Sequence, residues 1–253
     1  MVGAAGRGAA EEVLPGGLVT AVVRVGDTVR RGMPGSADFV HRLLRHLEAL
    51  GWTHAPRVLG VDEYGREVLS WIDGEVPWRL DDQAAVRTEA SLVRVAGLLR
   101  EFHDLTADTE LAADAEVVCH NDLSPKNTVY RDSGSGPVPV AFLDWDNAAP
   151  GARVHDVAHL CWQFVGLGRA GALPARAAAG VRLVADAYGL TNRGELVDTI
   201  LWWQERCWRG IDDQAGAGEP AMVRLREGGG VDAVRAEHDW TARHRVALET
   251  SLR

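Results

Sequence analysis

Between Val117 and Asn147 the chain runs V-V-C-H-N-D-L-S-P-K-N-T-V-Y-R and then, across a polar gap, V-P-V-A-F-L-D-W-D-N. An H-x-D-x-x-x-x-N pattern therefore follows one short apolar run, and an aspartate follows directly after another. Apolar runs this short, bounded by turn residues, read as buried strands. The gap Asp132-Ser133-Gly134-Ser135-Gly136-Pro137 is turn chemistry. It joins Thr128–Arg131 and Val138–Leu143 into a hairpin, with Pro125 stiffening the turn before it. Such a hairpin brings Asn127, at the start of one strand, next to Asp144, at the end of the other.

A carboxylate and an amide five positions apart, facing a second carboxylate, suit phosphoryl transfer, which depends on positioning and charge neutralisation more than on covalent steps. A carboxylate beside the acceptor hydroxyl can orient it and take its proton, and Asp122 is the candidate. Mg2+ takes hard oxygen ligands, and Asn127 and Asp144 are the candidates for that. Any one of these residues alone would be ordinary loop chemistry. The set, in this order and spacing, is far more specific.

At these residues the chain resembles the aminoglycoside phosphotransferase and choline kinase-like family, the small-molecule branch of the protein-kinase-like fold. "CHNDLSPKN" is similar to that family's catalytic loop, "FLDWDNA" to its metal loop, and "VHDVAHLCW" to the helix that follows. In that helix the resemblance gives Asp156 a structural role, bracing the catalytic loop. No A-P-E motif lies between Asp144 and Asp156, which argues against a protein kinase. The likeness extends less specifically upstream, to about residue 13. Gly16 and Gly17 stand where a nucleotide-covering loop would lie. Two strands flank Gly26-Asp27, and a helix capped by Ser36 carries Phe39, Val40, Leu43, Leu44, Leu47 and Leu50 before Gly51. Two more strands flank Tyr64-Gly65. The second leads into Ser70-Trp71-Ile72-Asp73-Gly74, which resembles the hinge whose backbone, at Ser70 and Ile72, would bind a purine.

One departure matters. The family places a phosphate-gripping lysine on the third strand and a glutamate on the next helix to hold it. The single lysine of this chain, Lys126, lies in the catalytic loop. Arg30 and Arg31 occupy the strand region instead, and alternation would turn one inward and the other outward. Near the expected helical glutamate stand Val40 and His41, with Glu48 about two turns later.

The remainder reads as helical. A helix spans Asp81 to His103, with Leu92, Val95, Ala96 and Leu99 inward and His103 structural. Others begin near Gly151, cover Ala177–Tyr188 and Glu195–Trp208, and close the chain over Val231–Leu252, with Gly189 and Gly210 as stops. Trp202, Trp203 and Trp208 default to core packing. Asp212, Asp213 and Glu219 are the acidic residues of a polar stretch that could face a cationic acceptor. A net charge of −9 without basic runs disfavours nucleic acid, and no segment reads as a membrane span. Cys119, Cys161 and Cys207 are widely spaced in apolar surroundings, as expected of reduced thiols in a cytoplasmic protein.

The expectation is an α+β, two-lobed protein-kinase-like fold. A small β-rich nucleotide-binding lobe covers residues 1–72, and a mostly helical lobe over 73–253 holds the catalytic and metal loops and the acceptor site. The resemblance implies transfer of the γ-phosphoryl of ATP or GTP, with Mg2+, to a hydroxyl of a small molecule, first an aminoglycoside-type or other cationic antibiotic. The alternatives are a metabolic kinase for choline, an amino alcohol or a sugar, and a catalytically silent kinase-like binding protein.

Overall fold

The computed structural model describes residues 10–15, 22–134 and 136–253. The chain divides after Asp73 into two compact units.

The first unit is an antiparallel sheet with one helix. Its strands are β1 (Glu12–Val13), β2 (Val22–Val25), β3 (Thr28–Gly32), β4 (Val58–Val61) and β5 (Arg66–Ser70), in the order β1-β2-β3-β5-β4. The Gly26-Asp27 turn joins β2 to β3, and Gly26 takes φ 60°, a conformation open to glycine at little cost. Helix α1 (Ala37–Ala49) buries Val40, Leu43, Leu44 and Leu47, the three-and-four spacing of an amphipathic helix. Ser36 precedes α1, but its side chain makes no capping hydrogen bond. Gly16 and Gly17 lie outside the described residues.

In the second unit the helix expected over 81–103 is two helices, α2 (Leu80–Ala85) and α3 (Glu89–Thr106). The break is local chemistry. Thr88 adopts an extended backbone, and its side chain accepts the N–H of Ser91. That bond satisfies one of the orphan donors at the start of α3. The expected inner face holds, with Leu92, Val95, Ala96 and Leu99 buried. Strand β6 (Val117–Cys119) pairs with β9 (Ala149–Gly151), and β7 (Thr128–Asp132) pairs with β8 (Pro137–Phe142), which is the expected hairpin. Helices α4 (Arg153–Val165), α5 (Pro174–Tyr188) and α6 (Leu196–Gly216) follow.

Gly210 does not stop α6. A helical glycine costs about 1 kcal/mol against alanine, and Ile211 and Ala215 beyond it are buried. Their burial offsets that cost. The polar stretch after it is helical as far as Gly216, still within α6, and a short turn over 217–219 leads into α7 (Pro220–Glu227). The terminal helix breaks at His244 into α8 (Gly230–Arg243) and α9 (Arg245–Ser251). Helix α6 packs on α4, α7 and α8, while α3 packs on α5 and β8.

Candidate functional site

The H-x-D segment leaves β6 and turns back at once. Asn121 takes a left-handed backbone, φ 62°, which asparagine tolerates better than most residues. Its side-chain amide donates to the carbonyl of Asn147 at 3.0 Å, tying the H-x-D loop to the segment after Asp144. A 3-10 turn, Pro125–Asn127, then feeds β7. The Asn127 amide nitrogen donates to the Asp122 carbonyl at 2.9 Å and to its carboxylate at 3.0 Å. With the nitrogen committed, Oδ1 is the atom that Asn127 could offer to a cation. The second loop is tied by backbone, through Leu143 N–H to the Asn127 carbonyl at 2.8 Å. Asp144 follows, exposed, at φ 61° and ψ 65°. The structure thus brings Asp122 and Asn127 into contact and sets Asp144 one residue beyond their backbone tie. Burial pushes the Asp122 carboxyl upward, and the nearby Lys126 charge opposes this.

His120 is fully buried. Its Nε2 lies 3.0 Å from the Leu143 carbonyl, which can only accept, and Asp122 N–H donates to its Nδ1 at 3.3 Å. The ring is therefore the neutral Nε2–H tautomer. Burial holds its pKa below the ordinary value, although the surrounding carboxylates favour its charge. His120 thus joins the two loops without a formal charge.

Beneath the loop lies Asp156 of α4, wholly buried. Its Oδ2 accepts His120 N–H at 2.6 Å and Nε2–H of His103 at 3.1 Å, and its Oδ1 accepts Asn121 N–H at 2.8 Å. The chain of bonds continues outward. His103 Nδ1 takes the Tyr188 hydroxyl at 2.7 Å, and Arg153 donates to that hydroxyl at 3.2 Å. Burial alone would raise the Asp156 carboxyl, but the hydrogen bonds from His103 and from the loop amide outweigh it, and its pKa falls below the ordinary range. His103, Cys119 and Asp156 bring ligand-type atoms within 4.8 Å of one another. Those atoms are already engaged in this network, and the Cys119 thiol, pushed upward by burial, donates to the Ala152 carbonyl. The cluster is a brace.

In the first unit Arg30 and Arg31 lie on opposite faces of β3. Arg30 reaches Asp62 at 3.6 Å, and its buried Nε has no hydrogen-bond partner. Arg31 pairs through Nε with Oε1 of Glu67, its cross-strand neighbour on β5. The other oxygen of Glu67 bonds His41 of α1 at 2.8 Å. Glu67 is fully buried. Glu48 is exposed, 3.8 Å from Arg57. Glu67 was not singled out in the sequence, and the signal for it was weak, a lone acidic residue between Arg66 and Val68 in a strand. At the hinge the Ser70 N–H bonds the Arg57 carbonyl at 2.9 Å. That N–H is therefore committed within the sheet.

Two of the acidic residues around the end of α6 have local roles. Asp212 faces Arg226 and Arg235 at 3.6 and 3.8 Å, and Glu219 caps α7 by accepting Ala221 N–H. The tryptophans of α6 divide. Trp203 donates to the His155 carbonyl and packs edge-on to His159, whereas Trp202 is 43% exposed. His159 in turn bonds the Leu123 carbonyl of the H-x-D loop at 2.8 Å.

Residues 12–116 and 106–190 match the phosphotransferase enzyme family. A trifolitoxin immunity protein of Rhizobium leguminosarum bv. trifolii is 32% identical over 282 aligned positions, which cover 96% of this chain and 98% of that protein. Among solved structures, a choline/ethanolamine kinase family protein of Mesorhizobium loti superposes with a TM-score of 0.59 at 18% identity, covering 95% of this chain and 92% of its own. An aminoglycoside phosphotransferase of Streptomyces rimosus, in complex with ADP and streptomycin, gives 0.56 at 15% identity, covering 78% of this chain and 91% of its own. The fold is protein-kinase-like, a small antiparallel sheet unit followed by a mostly helical one, and the chain belongs to the phosphotransferase enzyme family.

Proposed function

We propose that this phosphotransferase moves the γ-phosphoryl group of ATP or GTP to a hydroxyl of an antibiotic- or toxin-type small molecule. The observation that carries the reading is the contact of the Asn127 amide with the Asp122 carboxylate, in a loop tied by backbone to the residue before Asp144. Asp122 is the residue to orient the acceptor hydroxyl and take its proton. The oxygens of Asn127 and Asp144 are a hard donor set that suits Mg2+, and bound there the ion would neutralise charge on the phosphates. His120 and Asp156 hold the loop backbone in register. Ser70 and Ile72 would meet the base, and an arginine of β3 the phosphates.

The acceptor class rests on two comparisons. The sequence relative is named for immunity to trifolitoxin, and a solved relative of the same fold holds ADP with streptomycin. The test is a panel of hydroxylated antibiotics and toxins, with choline and sugars alongside, incubated with γ-labelled ATP or GTP and magnesium. The expected result is label transfer to an antibiotic or toxin, lost in Asp144→Ala. Magnesium-dependent nucleotide binding with no transfer to any acceptor would identify a silent binding protein instead. Transfer to choline or a sugar alone would identify a metabolic kinase.

A further inference from the structure

The buried carboxylate of the first unit has no place in the reading so far. Glu67 is wholly enclosed, and both of its oxygens have partners on different elements, Arg31 of β3 and His41 of α1. Taking a carboxylate out of water costs several kcal/mol, and a buried ion pair of this kind is rarely more stabilising than well-packed apolar residues of similar volume. Stability is thus a poor account of the arrangement, and fixing the direction of a side chain is a better one. The neighbouring arginine offers a contrast. Arg30 has only a 3.6 Å approach to Asp62, a carboxylate that also holds Arg66 at 2.8 Å.

We infer that Glu67 and His41 are positioning residues that hold Arg31 as the phosphate-gripping cation of this chain, an inference that rests on the nucleotide reading above. The polarity of the brace is the reverse of a lysine on the strand and a glutamate on the helix. Here the carboxylate comes from the adjacent strand β5, and helix α1 contributes a histidine. A guanidinium is longer than an ammonium group and carries several donors in a rigid fork. Bonding its Nε to one oxygen of a carboxylate sets the plane of that fork. His41 fixes the other oxygen, so the carboxylate cannot swing. The position of α1 is thereby coupled to the aim of Arg31 through two hydrogen bonds.

The test is a double-mutant cycle read by magnesium–nucleotide affinity. Arg31→Met, Glu67→Gln and the double variant are titrated with ATP or GTP, whichever the wild type binds, and with the matching nucleoside. A charge-assisted hydrogen bond is worth enough that Arg31→Met should weaken triphosphate binding about ten- to a hundredfold. Glu67→Gln should weaken it by a smaller factor, and the double variant should bind no worse than Arg31→Met alone. Nucleoside affinity should hold throughout, which a merely structural loss would not allow. His41→Gln, which keeps a donor, should stay near wild type, while His41→Leu should follow Glu67→Gln. The His41 pair carries the same comparison if Glu67→Gln fails to fold. Losses that multiply in the double variant, or a Glu67→Gln and a His41→Leu that bind triphosphate normally, overturn the inference and leave the catalytic-loop assignment standing. A wild type without magnesium-dependent nucleotide binding overturns both.

Discussion

Asp122 is held at three points. Asn127 donates to its carboxylate and its carbonyl, and its own N–H is spent on His120. Asp122→Asn preserves size and removes the proposed proton acceptor. General-base assistance is worth about 10²–10⁴-fold, so kcat should fall by that order while nucleotide affinity measured by calorimetry stays within about twofold. Turnover near the wild-type value would take Asp122 out of the chemistry. That Asp122 and Asn127 come together, with the loop bearing Asp144 tied beside them, was legible in the sequence because the contacts involved are local. A five-residue loop and a two-stranded hairpin fix their geometry almost alone. Glu67 was not legible for the opposite reason. Its partners stand 36 and 26 positions away, and only the β3–β5 register and the seat of α1 bring them together.

Elements tell the same story with different particulars. The period of Val40, Leu43, Leu44 and Leu47 made α1 readable, since apolar spacing and burial coincide there. The α2–α3 break was hidden because the apolar period continues across it and a single hydroxyl decides it. Thr88→Ala removes the bond to Ser91 N–H. Loss of such a cap costs about 1 kcal/mol, and the midpoint of urea unfolding should fall accordingly with an unchanged slope. No shift in the midpoint would mean that water replaces the cap. Thr88→Ser, which keeps the oxygen, should recover most of the loss. Gly210 misled for the converse reason. Tertiary packing of Ile211 and Ala215 carried the helix through a residue that local propensity would have made its end.

At the scale of the molecule, acid is the informative stress. His159 is buried, bonded to the Leu123 carbonyl, and pushed by burial to a pKa of about 4. An unfolded histidine titrates near 6.5. Between those values the unfolded chain takes up a proton that the folded chain excludes. This contribution is therefore complete above pH 6.5 and is lost as pH falls toward 4, by about 3 kcal/mol. Asp156 acts in the same sense at lower pH, because its folded pKa lies below the unfolded one and its contribution fades as acid protonates it. Denaturant midpoints measured from pH 7 down to 4.5 should fall, and His159→Asn should flatten that decline. An unchanged decline in the variant would assign it to other groups.

The carboxylate of Asp156 also has a consequence for time rather than energy. Amides in an irregular, partly exposed segment usually trade their protons with solvent quickly. The N–H groups of His120 and Asn121 are bonded to a carboxylate that water does not reach. They can exchange only when α4 parts from the loop, an opening on the scale of a whole cooperative unit. In deuterated solvent these two loop amides should keep their protons as long as the interior amides of α4, and Asp156→Asn should release them early.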